Sequence, residues 1–116
     1  MPSDQTKGKP AAPSAPPRPE VVRDTARALA HDTANIQWRK HAILVRMPKR
    51  DITDRVALEV IRKGYVKGVV EPGRQADEWV VKLALEMRNG REVGVVVSVV
   101  GGVKLRVITV EWEDVR

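Results

Sequence analysis

Two periodicities divide this chain near Gly64. Ahead of it apolar residues recur every three or four positions, and beyond it they recur every second position. Val22, Ala26 and Leu29 follow Pro19 and Glu20 at helical spacing, with Arg23, Asp24 and Arg27 on the opposite side. Proline suits a first helical turn and an acid suits the positive end of the helix, so a helix is expected over 19–31. The mixed run Asn35-Ile36-Gln37-Trp38 reads as a brief edge strand. Ile43, Leu44 and Met47 then give a short helix one apolar face. Pro48 lacks an N–H and biases Met47 away from helical geometry, so that helix is expected to stop near Arg46 or Met47. A turn over 48–52 should follow. Asp51 or Thr53 can cap a third helix, built on Val56, Leu58, Val60 and Ile61. Gly64 stands where a left-handed residue would close it.

Beyond Gly64, residues 65–70 read as a first strand. Trp79, Val81, Leu83, Leu85 and Met87 alternate with polar Lys82 and Glu86, the pattern of a half-buried antiparallel strand. Asn89-Gly90 and Gly101-Gly102 signal hairpins on either side of a strand that buries Val93, Val95, Val97 and Val99. The last strand, 104–112, is apolar on both faces. It is therefore either central and covered on both sides, or bulged. Helices first and strands second predict an α+β domain over 19–116, with N-terminal helices packed on a four-stranded antiparallel meander. Residues 1–18 carry five prolines and nothing apolar larger than alanine after Met1, which predicts a disordered tail.

Charge sharpens the picture. The formal net charge is +6. Arg39, Lys40, Arg46, Lys49 and Arg50 fall within twelve residues that hold no acid, whereas 51–116 balances eleven bases with eleven acids. An excess so local is the footprint of a polyanion site. With no cysteine, disulfides, thiolate nucleophiles and cysteine zinc sites are excluded. No apolar run reaches the roughly 18 residues that span a membrane, and the N-terminus shows no apolar signal core. A cytoplasmic protein without a membrane partner is the expectation. No nucleotide loop, nucleophile elbow or metal constellation is present, so no cofactor and no metal are expected.

Candidate site residues follow from the basic cluster. Arg39, Lys40, Arg46, Lys49 and Arg50 are candidate phosphate contacts, and Lys67 and Arg106 can join them from separate strands. Arg46 and Arg50 can each hold a phosphate bidentately. His41 is a candidate general acid or base, which with Arg46 and Arg50 makes a candidate catalytic set. Each has a plain alternative. The cations can solvate a helix, pair with Asp51, Asp54 or Glu59, or cap helix carbonyls, and His41 can be a surface histidine. Glu111 and Glu113 share a strand face and can bind metal or simply end the strand in solvent. Trp38, Trp79 and Trp112 can stack on bases, or fill the core of a chain that has no phenylalanine.

The residues Trp38 and His41, then Arg46-Met47-Pro48-Lys49-Arg50-Asp51-Ile52-Thr53, Arg62-Lys63-Gly64 and Thr109-Val110-Glu111-Trp112 carry a resemblance. The segment from about Ile36 to Asp114 resembles the family of small bacterial proteins called domain of unknown function 4258. Its order of elements is similar to that of the RelE and BrnT toxins, compact ribonucleases neutralised by an antitoxin. The resemblance implies a RelE-like fold, an RNA ligand, metal-independent RNA cleavage and an antitoxin-like protein partner. A non-catalytic nucleic-acid-binding module and a protein-interaction domain are the alternatives. One departure bears on the site. The family pattern sets its histidine four residues before the arginine, whereas His41 precedes Arg46 by five. On a regular helix that spacing turns the side chains about 140° apart instead of about 40°.

Overall fold

A computed structural model describes residues 16–88 and 90–113. Helix α1, Pro19–Ala30, buries Val22, Ala26 and Ala30 and opens on the expected proline. Strand β1, Ile36–Trp38, leads into a helical segment with a five-residue wide turn, Ala42–Arg46, that continues as α2, Met47–Arg50. Helix α3, Asp54–Lys63, starts on the Thr53 side chain, which accepts from the Val56 N–H at 3.2 Å. Strands β2 (Tyr65–Val66), β3 (Glu71–Pro72), β4 (Glu78–Glu86), β5 (Glu92–Val100) and β6 (Lys104–Trp112) complete the chain.

The fold is α+β, and its sheet is larger than a four-stranded meander. Six strands run in the order β1-β6-β5-β4-β2, with β3 also paired to β4. Among the described strands only β1 is parallel to its neighbour, setting Gln37 opposite Arg106 and Trp38 opposite Val107. The alternation read from the sequence decides which face is buried. Val81 and Leu83 of β4, Val93, Val95 and Val97 of β5, and Leu105, Val107 and Val110 of β6 are buried beneath α1 and α3. All three tryptophans pack against this core. The last strand is central in the sheet and bulged, with helices on one face. It lies between β1 and β5, and it slips register opposite Val96/Val97, leaving Ile108 as the extra residue.

Three expectations are corrected. The strand expected over 65–70 is paired only at Tyr65 and Val66, because Gly68 at φ +97° bends the chain away soon after the Lys67 N–H bonds Lys82. The second helix runs through Pro48 to Arg50, because the proline opens a new helical segment, where its missing N–H is no loss. Gly64 is extended, at φ −72° and ψ 167°; what it supplies is space. A Cβ there would sit 2.5 Å from the Val60 carbonyl oxygen and 2.7 Å from that of Ala84. Residues 1–15 of the expected tail, and Asn89 of the first hairpin, lie outside the described residues.

The helices are joined end to end by arginines. Arg27 of α1 donates to the carbonyls of Ile61 and Gly64 at the end of α3, and Arg62 of α3 donates to Ala30 at the end of α1, 2.9 Å away. Each cation satisfies orphan carbonyls at a negative helix end. This fixes the helical layer, and with it the segment that covers the free edge of β6.

Candidate nucleic-acid interface

The basic segment leaves the end of β1 and lies along the edge of β6 beyond the reach of β1. The Arg39 N–H extends the ladder by one step to the Val107 carbonyl at 3.0 Å, and the Arg39 carbonyl then accepts from Ile43 at 3.1 Å to start the helix. One turn later the hydrogen bonding widens. The Met47 N–H reaches back five residues to Ala42, so the turn holds one residue more than an α-helical turn. A five-residue step across such a turn does the angular work of a four-residue step on a regular helix. His41 and Arg46 accordingly line the same concavity, of about 390 Å³, together with Arg39, Ile108 and Thr109. The divergence expected from their spacing does not occur.

The wide turn behaves as a single inserted residue. Deletion of exposed Val45 is therefore expected to restore a regular helix and keep the phase of both flanks. Stability should change by less than about 1 kcal/mol in a thermal melt, where removing a residue from an unbroken helix would rotate everything beyond it by about 100°.

A second concavity, of about 360 Å³, adjoins the first and shares Arg39; Gln37, Trp38, Lys40 and Arg106 complete it. Arg106 reaches this surface through the parallel pairing of β1 and β6. Its Nε donates to Gln37 Oε1 at 3.2 Å, and its Nη1 lies 3.7 Å from Glu78. Arg39, Lys40 and His41 are exposed and Arg46 is half-buried. Among the described residues, none of these four side chains has a hydrogen-bond or ion-pair partner and no carboxylate lines either concavity. In a low-acid setting of this kind, phosphate oxygens are the natural counter-charge.

Other candidates lie elsewhere. Arg50 clamps α2 to the sheet: its Nη1 donates to the Val110 carbonyl and its own carbonyl accepts from Trp112 Nε1, both at 2.7 Å. Exposed Lys49 lines neither concavity. Lys67 lies on the sheet face opposite the helices, 2.8 Å from Glu92 and 3.1 Å from Glu113. Hydrogen bonds to those carboxylates raise its pKa, and the Lys67 bond is the main reason Glu92 sits below the ordinary carboxylate range. Glu111 and Glu113 both meet Lys82, at 2.9 Å and 3.0 Å. Among the described residues, no three histidine, aspartate or glutamate side chains are placed to hold a metal ion.

Sequence reading placed Arg39, Lys40, His41, Arg46 and Arg106 among the candidates, and the structure brings these five to one surface. It missed Gln37, Ile108 and Thr109. The signal for the last two was the doubly apolar pattern of β6, which marked a bulge without saying which residues it would turn toward the edge. No family model, curated protein or solved structure matches the chain. No helix among the described residues is long and apolar enough to cross a membrane.

Proposed function

We propose that this chain binds single-stranded RNA across the Arg39 surface and cleaves it there without a metal ion. One observation carries the reading: Arg39, His41 and Arg46, from the end of β1 and from both sides of a wide turn, line one concavity with no carboxylate among the described residues. Cleavage of RNA needs a base at a ribose 2′-hydroxyl and cations at the adjacent phosphate. His41 takes the 2′-hydroxyl proton as that oxygen bonds to phosphorus. The bond from phosphorus to the 5′-oxygen breaks, and the departing oxygen takes a proton from water in the open concavity. Arg39 and Arg46 bind the phosphate oxygens whose charge grows in the transition state. Arg106 and Lys40 hold the neighbouring phosphate. The products are a 2′,3′-cyclic phosphate and a 5′-hydroxyl. The resemblance to domain of unknown function 4258 and to the RelE-like order of elements supports the same reading at the level of fold, which by itself fixes no chemistry.

The test is incubation of end-labelled single-stranded RNA with the full chain in excess chelator, over a salt series, reading binding and fragments from the same tubes. Fragments ending in cyclic phosphate are expected, with affinity falling as salt rises. Arg39→Ala and Arg46→Ala should each weaken binding by about tenfold, and His41→Ala should remove fragments while binding persists. Arg50→Ala should act through stability alone. Binding without fragments leaves a nucleic-acid-binding module, the reading favoured by an imidazole with no described partner to orient it. Absence of binding at low salt removes nucleic acid altogether and favours a protein-interaction domain.

A further inference from the structure

Trp38 belongs to two concavities. One is the basic concavity that it shares with Arg39, Lys40 and Arg106; the other, of about 360 Å³, lies against the second helix. The wall of the second is largely apolar. Ile43 stands at its rim with 41% of its surface exposed, Pro48 adjoins it, and buried Met47 and Ile52 form its floor. Its polar side chains are Asp51, Thr53 and Asp54. Two of these already serve the start of α3: Thr53 Oγ1 accepts from the Val56 N–H at 3.2 Å, and Asp54 Oδ1 accepts from the Arg55 N–H at 2.8 Å. The Asp51 carboxylate has no partner among the described residues. Asp51 and Ile52 also border a larger concavity beside Trp112, but no residue lining that one lines the basic surface.

An indole, an aliphatic floor and one free acceptor suit a flat ring that carries hydrogen-bond donors on its edge. Trp38 and Arg39 are consecutive, so a ring against Trp38 and a phosphate at Arg39 belong to the same nucleotide or to neighbours. We infer that this concavity is a nucleobase subsite of the RNA surface and that it selects guanine. The inference rests on the RNA reading for the path of the strand, and on the concavity alone for the base. Guanine sets N1–H and N2–H side by side, so the Asp51 carboxylate accepts both. Adenine and cytosine each place one amino donor beside a ring acceptor that a carboxylate repels, and the single N–H of uracil lies between two carbonyl oxygens. Arg50 and Arg55 adjoin the two aspartates in sequence, so selection rests on hydrogen bonding and not on net charge.

The first probes are the four nucleosides at about 1 mM, with binding to the full chain read by saturation-transfer NMR. Guanosine should bind about tenfold more tightly than adenosine, cytidine or uridine. Asp51 is left-handed, at φ 58° and ψ 43°, a conformation that asparagine also tolerates, so Asp51→Asn should fold and should level the four affinities. Ile43→Trp fills the concavity from its rim and should remove nucleoside binding. Circular dichroism establishes that each variant is folded. In single-stranded RNA, one guanosine in an otherwise uridine strand should raise affinity about tenfold, and fragments should end beside it. Guanosine that binds no better than the other three, or as tightly to both variants as to wild type, overturns the inference. RNA bound and cut without regard to guanosine also overturns it, and leaves the RNA reading standing. Guanosine selected as expected by a chain that neither binds nor cuts RNA supports the base site and overturns the RNA reading.

Discussion

Gly64→Ala is expected to cost about 3 kcal/mol and to lower the thermal midpoint by about 15 °C. Domains of this size have only about 5–15 kcal/mol in hand, so the variant should be marginal at growth temperature. The cause is position and not backbone angle. Gly64 ends α3 in an ordinary extended conformation, with its N–H on the Val60 carbonyl at 2.7 Å. Its Cα faces two backbone carbonyls, from α3 and β4, and a methyl group would stand 2.5 Å and 2.7 Å from their oxygens. Neither can retreat cheaply. The Val60 carbonyl belongs to the last turn of α3, Ala84 is held in β4 between Tyr65 and Gly94, and Arg27 binds the Gly64 carbonyl itself. Asparagine discriminates between the two explanations for this glycine. It tolerates a left-handed cap, so a cap would make Gly64→Asn milder than Gly64→Ala; close approach makes it at least as damaging. Gly68 is the internal comparison, since φ there is +97° with nothing within 4 Å of an added Cβ, and Gly68→Ala should cost only about 1 kcal/mol. Equal denaturant midpoints for Gly64→Ala and wild type would remove the close contact.

That glycine shows what kind of information the sequence carries in the open. Periodicity is local. The alternation from Trp79 to Met87 and the stripe Val22, Ala26, Leu29 announce their elements because each side chain needs the same environment as its neighbour two or four positions away. What Gly64 does depends on Ala84, twenty residues later, whereas its local sequence indicates only a cap. The parallel pairing of β1 with β6 was hidden for the same reason. Three residues, Ile36–Trp38, have no pattern of their own, and their partner lies about seventy positions on. Yet that pairing places Arg106 beside Arg39 and so assembles the site.

The site was legible as charge and illegible as geometry. Five bases in twelve residues stand out as a charge cluster whatever the fold, but nothing in the string separates Arg46, which opens onto a concavity, from Arg50, which clamps Val110. The wide turn is the sharpest case. Hydrogen bonding between Met47 and Ala42 rests on how the segment must span from the end of β1 to the start of α3, with Pro48 removing one N–H from the ladder. A regular helix was the default assumption, and on it His41 and Arg46 part company. Lys67 was misplaced by composition for a related reason: a lysine counts toward net charge even when two glutamates already neutralise it.

Lys82→Met is expected to destabilise the chain by about 2 kcal/mol at pH 7, and the loss should shrink as the solution is acidified. Lys82 stands on the sheet face away from the helices, within 3.0 Å of both Glu111 and Glu113. The Glu113 side chain is only 7% exposed and lies across Gly94, where an added Cβ would meet its carboxylate. Burial by itself would lower the Lys82 pKa, but hydrogen bonds to Glu111 and Glu113 raise it; in return, the Lys82 bond is the main cause that holds Glu111 below the ordinary carboxylate range. Two signs follow. The depressed carboxyls, Glu111 and Glu92, contribute stability that is present above about pH 4.3 and is lost as pH falls through their folded values. The raised ammonium groups, Lys82 and Lys67, contribute stability that is complete below about pH 10.4 and is lost only as pH rises through their folded values. Wild type should therefore hold a plateau from about pH 5 to 10. Methionine keeps the aliphatic stem and removes the cation, leaving carboxylates on a partly buried face with less to pair them. The figure is below the usual cost of breaking a buried pair, because Lys82 retains 29% of its side-chain exposure. In the variant, Glu111 ionises less readily, so protonating it costs less and the deficit against wild type narrows between about pH 6 and pH 4. Adding Glu111→Gln to Lys82→Met should recover part of the loss at pH 7. Denaturant titrations at pH 4, 5.5 and 7 measure all of this. A deficit that stays constant across the three would mean that the lysine stabilises by packing alone.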